Sequence, residues 1–389
     1  MPVGSVARHR PPRRATALIG LILCTAACTS TSPAPAASPE PIDLSAPGFW
    51  TGVTHDQYSA DSWFDAGSVA AARTVLTDDV QIQNQSLMGW GANSPEPSPG
   101  VYDWSSLDAR MGLISQTNGT TVLTLCGAPD WMKGGTAGTT DWSLLEVAPT
   151  PEHYQDFADL AVAALERYPQ VRYVQVWNEM KGFFDASTNT WDVAAYTALY
   201  NTVYDAIKAA DPTVQVGGPY VVMDSWSSAA VASHPSAISG AWGVLDQRPL
   251  DVLTSWLQDA HGADFVVVDG WTGTKDKGVT TDPVTAAQKF AAVDTWLAEQ
   301  TTLPIWWAEL HVSGSDGAAT TPEALDAALR AVFTTGARVA LLWDPQHDDG
   351  ETEPWLWTQV SAPGGGLRGP YDSVWKDWST RSGSPSASP

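Results

Sequence analysis

Cysteine is scarce in this chain: Cys24, Cys28 and Cys126 are the only three in 389 residues, and the first two lie near the N-terminus. A lone thiol beyond them cannot close an internal disulfide, so the fold has to rest on its hydrophobic core. Positive charge is also scarce, with 20 Lys and Arg against 43 Asp and Glu and a formal net charge of -23. A nucleic-acid partner is thereby disfavoured, while an acidic surface suits a soluble, exported monomer. No His-x-His pair opens the sequence, so a metal-dependent hydrolase lacks its usual ligands, and there is no P-loop. No Gly-rich turn follows the first β-rich run, and no repeat of 20 to 50 residues is visible. Nothing here calls for a cofactor or a metal.

The N-terminus differs from the rest. Arg8, Arg10, Arg13 and Arg14 precede an apolar stretch from Ala15 to Ala27, with no acid among them. That order of charge and apolarity predicts an export signal over residues 1–27, too short to remain as a transmembrane anchor. Its removal takes four arginines and no acid, moving the formal charge from -23 to -27. Cys24-Thr25-Ala26-Ala27-Cys28 resembles a bacterial lipoprotein signal, in which Cys28 would carry the lipid and provide the one contact with membrane; ordinary secretion is the alternative. Residues 28–44, rich in Ser, Pro and Ala, read as a flexible linker, and residues 381–389 as a disordered tail.

What the chain has in excess is tryptophan, 20 residues in all, many beside Gly, Pro, Asp or Asn rather than inside apolar runs. An indole face packs well on the C–H face of a sugar, while nearby amides and carboxylates take the hydroxyls. Core packing is the competing use for each ring. Together they point to a polysaccharide or oligosaccharide partner.

From about Phe49 onward, short β-rich runs alternate with helical patterns and no linker intervenes, so residues 45–380 read as one domain. Thr150 followed by Pro151 starts one helix, with Tyr154, Phe157, Leu160, Ala161 and Leu165 on a shared face. Another runs from Asp192 until Asp211-Pro212 stops it. Strands are expected to begin near Phe49, Gln83, Thr121, Val171, Val214, Phe265, Pro304 and Val339, the second being unusually polar. Eight βα units predict an α/β fold, a single (β/α)8 TIM barrel.

Barrel chemistry sits at the C-terminal ends of strands, which directs attention to two glutamates. Strand 4 ends Val176-Trp177-Asn178-Glu179 and strand 7 ends Trp306-Trp307-Ala308-Glu309. Two carboxyls facing one another across the mouth are what a double-displacement glycosidase requires: one protonates the leaving oxygen and the other, ionised, attacks the anomeric carbon. Asn178 would reach the sugar 2-hydroxyl. Trp90, Trp131, Trp271 and Trp343 follow predicted strands and could wall a sugar subsite; Asp130, Asp269, His55 and His311 are candidate hydroxyl ligands on the same positional argument. Cys126 has no histidine partner to activate it. Asp344, His347, Asp348, Asp349, Glu351 and Glu353 form an acidic loop whose spacing fits no standard calcium loop and reads as a solvated segment.

Trp177-Asn178-Glu179 is similar to the acid/base signature of glycoside hydrolase clan A. The likeness continues in Pro99-Gly100-Val101-Tyr102-Asp103-Trp104, Gly217-Gly218-Pro219, Pro304 to Glu309 and Leu341-Leu342-Trp343-Asp344. Tyr196 to Pro219 most resembles family 39, a group that includes β-xylosidases. The resemblance implies a retaining enzyme with Glu179 as acid/base and Glu309 as nucleophile. Two strand ends depart from it: Met88-Gly89-Trp90-Gly91 replaces an expected Arg and His, and Val268-Asp269-Gly270-Trp271 replaces a His-x-Tyr whose tyrosine would support the nucleophile. These changes suggest another sugar at the cleavage site. A catalytically silent sugar-binding barrel and a cell-envelope glycan hydrolase are the alternative functions.

Overall fold

The computed structural model describes residues 42–57, 59–314, 319–347, 352–381 and 383. The export signal, Cys28, most of the linker and most of the C-terminal tail therefore lie outside the described residues, as do Asp348, Asp349 and Glu351 of the acidic loop.

Eight strands form the barrel: β1 Trp50–Thr54, β2 Ile82–Ser86, β3 Thr120–Leu125, β4 Tyr173–Val176, β5 Gln215–Val222, β6 Phe265–Trp271, β7 Ile305–His311 and β8 Val339–Trp343. Each pairs in parallel with its sequence neighbour, and β1 closes the ring on β8 from Trp50↔Val339 to Thr54↔Trp343. Every strand starts within two residues of its expected position. The outer ring is α1 Ala66–Asp79, α2 Ser105–Gln116, α3 Tyr154–Arg167, α4 Val193–Ala210, α5 Gln247–Asp259, α6 Pro283–Gln300, α7 Pro322–Thr335 and α8 Asp372–Ser379.

Local chemistry sets these helix starts. Asp65, Asp192 and Asp282 each accept a hydrogen bond from the backbone N–H three residues on, opening α1, α4 and α6, and Thr321 does the same for α7. Pro283 and Pro322 sit in the first turn, where no N–H is needed. The start expected at Thr150 is a 3-10 turn, Pro151–His153, before α3 proper. Thr150 makes no side-chain cap, and the tighter turn satisfies the first backbone groups instead.

The polar β2 is fully buried, yet its amides are paired with the neighbouring strands and with α2. Asn84 donates to Thr54 at 3.0 Å and accepts from Thr124 at 2.8 Å; Gln85 accepts from Arg110 at 2.7 Å. Arg110 is in turn neutralised by buried Asp61 at 3.1 Å. A strand that looks weak by hydropathy is thus held by a satisfied network.

The lower barrel is filled by aromatics. Trp306 stacks on Phe265 at 3.9 Å between centroids, with Tyr173 at 5.5 Å. Leu44 closes this layer from below: it is buried in the same cluster, and its N–H donates to Tyr173 Oη at 2.8 Å. The same hydroxyl donates to Ile42 O, also at 2.8 Å. The last residues of the expected linker 28–44 therefore belong to the barrel, because its N-terminal end needs an apolar plug. At the other terminus Arg381 lies over the Trp378 ring and Gly383 N–H donates to Phe49 O at 2.8 Å.

Candidate active site

Side chains alternate along β7. Trp306 and Ala308 pack into the barrel interior, whereas Ile305 and Trp307 face the helices. Strict alternation would turn Glu309 outward as well. A bulge prevents this: against β6 the register steps from Val268↔Trp307 to Asp269↔Glu309, leaving Ala308 unpaired. A second step, from Val267↔Pro219 to Val268↔Val221, leaves out Tyr220, whose φ is +57°. Two irregular strands thus aim Glu309, Asp269 and Tyr220 at one point. Close approach at β5 depends on Gly217, where a Cβ would lie 2.3 Å from the Phe265 ring.

Glu309 is buried and surrounded by donors. Tyr220 Oη donates to its Oε1 at 2.5 Å and Asn178 Nδ2 to the same oxygen at 3.0 Å. His311 Nε2 stands 3.2 Å from Oε2. Such a set fixes the orientation of the carboxylate. Burial, with the Glu309 charge beside it, pushes the Tyr220 hydroxyl well above its ordinary value, so it remains a donor. On the other side of His311, Nδ1 meets Glu353 Oε2 at 2.8 Å, and Ser313 Oγ donates to Glu353 Oε1 at 3.0 Å.

Glu179 follows β4 through a turn in which Trp177, Glu179 and Met180 all have positive φ, +69°, +48° and +50°. Left-handed backbone at non-glycine residues is costly and clusters at functional sites. Here it sends the Trp177 ring outward against Phe157 and Phe183 and leaves Asn178 and Glu179 at the barrel mouth. The Glu179 carboxylate pairs with Lys181, which also reaches Glu146 at 3.0 Å and lies 5.5 Å from the centre of the Trp90 ring.

Between the two glutamates lies Asp269. Its carboxyl is buried, in hydrogen-bonding reach of Glu179, and 3.8 Å from His311. Burial and then the charges of Glu309 and Glu179 raise its pKa well above the carboxylate range. For His311 burial works toward the neutral ring, but the hydrogen bonds to Glu309 and Glu353 prevail and hold its pKa well above the ordinary value. Asp269, Glu309 and His311 bring two carboxylate oxygens and a ring nitrogen within 4.8 Å of one another.

A cavity of 230 Å³ opens over this group, lined by Glu179, Val222, Asp269, Gly270, Trp271, His311 and Glu353. A larger crevice, 620 Å³, lies on the helical exterior around α6, α7 and α8, away from every strand end. Chemistry rather than size identifies the site.

The sequence-predicted residues divide accordingly. Glu179, Asn178, Glu309, Asp269, Trp271 and His311 come together, Trp343 tilts against His311 at 5.9 Å, and Trp90 borders the site through Lys181. His55, Asp130 and Trp131 do structural work. His55 is sealed in the interior, bonded to Gln83 at 3.0 Å, its pKa lowered to about 3 by burial and by Arg110. Asp130 accepts from Asp141 N–H at 2.6 Å, and Trp131 Nε1 donates to Glu96 O at 2.9 Å, both bracing the long segment after β3. Cys126 is buried, and burial raises its thiol pKa away from any nucleophilic role. Sequence reasoning missed Tyr220, Lys181 and the engagement of Glu353, which it left in a solvated acidic loop. The only signal for Tyr220 was its place directly after Gly217-Gly218-Pro219.

No family model and no curated protein matches the chain. Solved structures do match in fold. A monomeric β-xylosidase from Caulobacter crescentus is 18% identical, with 87% of this chain and 69% of that one aligned and a TM-score of 0.58. A GH39 enzyme from Xanthomonas axonopodis pv. citri gives 19%, 87%, 67% and 0.58. An endo-β-1,4-mannanase from Thermotoga petrophila gives 13%, 87%, 78% and 0.53. The barrel expected from the sequence is the fold of these enzymes, and the likeness to clan A and family 39 seen in strand-end motifs extends to three dimensions as a distant one.

Proposed function

We propose that this chain is a glycoside hydrolase that cleaves O-glycosidic bonds with retention of configuration, with Glu309 as nucleophile and Glu179 as general acid/base. The observation that carries the reading is the environment of Glu309: a buried carboxylate receiving hydrogen bonds from Tyr220 and Asn178 and facing His311. Such a group is oriented and shielded, as an attacking carboxylate must be.

In the first half-reaction a Glu309 oxygen bonds to the anomeric carbon while the bond to the leaving oxygen breaks, and Glu179 supplies the proton that oxygen takes up. In the second half Glu179 accepts a proton from water, the water oxygen bonds to the same carbon, and Glu309 departs as a carboxylate. Asn178 Oδ1 is buried with no hydrogen-bond partner among the described residues and is an acceptor for a sugar hydroxyl. Trp271 offers a stacking face at the cavity wall. Structural relatives named for xylosidase and mannanase activity make a β-linked polysaccharide or its oligosaccharides the first substrates to try. Export, with Cys28 as a lipid anchor and the enzyme as an extracellular monomer, completes the reading.

One observation favours a second reading, a sugar-binding barrel without turnover: Lys181 occupies the carboxylate of Glu179, the proposed proton donor, as an ion pair. The deciding experiment offers the purified protein aryl β-xylosides and β-mannosides, xylan and mannan, with NMR of the first anomer released. A 2-deoxy-2-fluoro glycoside is added to trap the covalent intermediate. Retained configuration and a label on Glu309 are expected. An inverted product, or a label elsewhere, overturns the mechanism; saturable binding without turnover across the panel selects the second reading.

A further inference from the structure

The chemistry proposed above uses Glu179 and Glu309, yet the cavity is also lined by Asp269, His311 and Glu353, ionisable chains that neither half-reaction needs. His311 is placed with both ring nitrogens against carboxylates from different parts of the fold. On the Nε2 side are Glu309 of β7 at 3.2 Å and Asp269 of β6 at 3.8 Å; on the Nδ1 side is Glu353 at 2.8 Å, from the segment between β8 and α8. From β8 comes only the uncharged ring of Trp343. An ionised carboxylate only accepts, and a neutral imidazole has one N–H to donate. Satisfying both sides requires a ring protonated at both nitrogens.

Glu353 is itself held. Ser313 Oγ donates to its other oxygen at 3.0 Å, and Ser313 N–H is tied at 3.0 Å to Thr272 Oγ1, just past β6. A residue in a solvated acidic loop would have no need of this anchoring. The carboxylate–imidazole–carboxylate row has the logic of an oriented base, in which an outer carboxylate fixes the charge and ring plane of the histidine that meets the reacting group.

We propose that Glu353 is a positioning residue for the nucleophile, holding His311 as an imidazolium turned toward Glu309. This inference rests on the glycosidase reading for its kinetic consequence but not for its structural one. Attack converts Glu309 from an anion to a neutral ester, and deglycosylation restores the anion. An imidazolium fixed beside Oε2 stabilises that departing carboxylate, so its effect falls mainly on the second half-reaction. Without Glu353, the ring loses its outer counter-charge and its fixed plane.

The test uses the full chain with ¹⁵N-labelled histidine, the His311 signals being identified by their loss in H311N. Near neutral pH both nitrogens of His311 are expected at protonated shifts in the wild type, whereas in E353Q at least one moves toward the neutral range. In kinetics E353Q is expected to lower kcat by about tenfold or more and to move the alkaline limb of the kcat profile down by about one pH unit. E353D should recover part of both, and S313A, which removes only the anchoring hydroxyl, should shift them in the same direction by less. Unmoved His311 signals in folded E353Q overturn the proposal. So does a rise in KM alone, which would make Glu353 a substrate contact. If no glycoside is turned over, the NMR arm still decides the protonation state while the glycosidase reading fails separately.

Discussion

Tyr220, from β5, donates its hydroxyl to Glu309, from β7, at 2.5 Å across the intervening strand β6. The family resemblance places a supporting tyrosine at the end of strand 6, where this chain has Asp269-Gly270-Trp271. Here a neighbouring strand supplies the phenol, and the vacated position holds instead a buried acid whose pKa is raised well above the carboxylate range. A hydrogen bond to an ionised group contributes about 1.5–3 kcal/mol. Tyr220→Phe should therefore lower kcat/KM by about 10- to 100-fold on any glycoside the enzyme accepts, with the thermal midpoint nearly unchanged. An unaltered kcat/KM would show that Asn178 and His311 suffice to orient Glu309.

Trp271 lines the cavity, and its ring is hemmed in by Gly273, where an added Cβ would come within 2.5 Å of it. If the indole stacks on sugar, Trp271→Ala should raise KM by about tenfold, in the range of an aromatic contact, and change kcat less. Gly273→Ala should raise KM as well, by tilting the ring rather than deleting it. A KM that ignores both changes removes Trp271 from the sugar site.

Two interior groups should pull stability in opposite directions with pH. Asp294, between Trp307 Nε1 at 2.9 Å and Thr335 Oγ1 at 2.7 Å, has its pKa raised from 3.8 to about 7 by burial. The folded protein holds this proton more tightly than the unfolded chain, so stability from this group is full below about pH 4 and is lost as pH rises to 7. For His55, lowered from 6.5 to about 3, the unfolded chain binds the proton more tightly, and stability is lost as pH falls from 6.5 toward 3. Asp294→Asn keeps the neutral form at every pH. The variant should melt above wild type at pH 8 and no higher at pH 4, in differential scanning calorimetry. An equal offset at both pH values would rule out titration of Asp294 as the cause.

Leu44 fills the bottom of the barrel beneath Tyr173 and Trp306. Leu44→Ala should destabilise the fold by about 2–5 kcal/mol, the range for a buried Leu truncated to Ala, while leaving KM unchanged, since the active site is at the opposite end. Urea unfolding measures the first and initial rates the second. A loss below about 0.5 kcal/mol would mean that the plug is a surface contact.

Much of this was legible along the chain. Asp-and-Thr caps, Pro at helix starts and β-branched strand runs are local signals, and they located all eight strands. Glu179 and Glu309 were visible because barrel strands deliver their last residues to one rim, whatever the loops do. Asp269, Trp271 and His311 followed from the same rule. His55, Asp130 and Trp131 satisfied it equally well but lie in the interior or brace a loop, because position after a strand does not specify which way a side chain turns.

The amino-acid sequence by itself determined the eight-unit alternation, the buried strands and the two strand-end glutamates, all consequences of short-range pattern and backbone preference. Only the tertiary structure decided that bulges opposite Val268 turn Glu309 inward and that Tyr220 reaches it from β5. It also decided that Lys181 pairs with Glu179 and that Glu353 arrives from a distant segment to hold His311. Apart from the local Lys181–Glu179 pair, these are contacts between residues 42 and 89 positions apart or register shifts by one residue, and neither leaves a periodic trace in the sequence. Charge and hydrogen-bonding state at the site are properties of that convergence: burial and neighbouring carboxylates raise the pKa of Asp269, whereas for His311 the hydrogen bonds to Glu309 and Glu353 outweigh the opposing effect of burial.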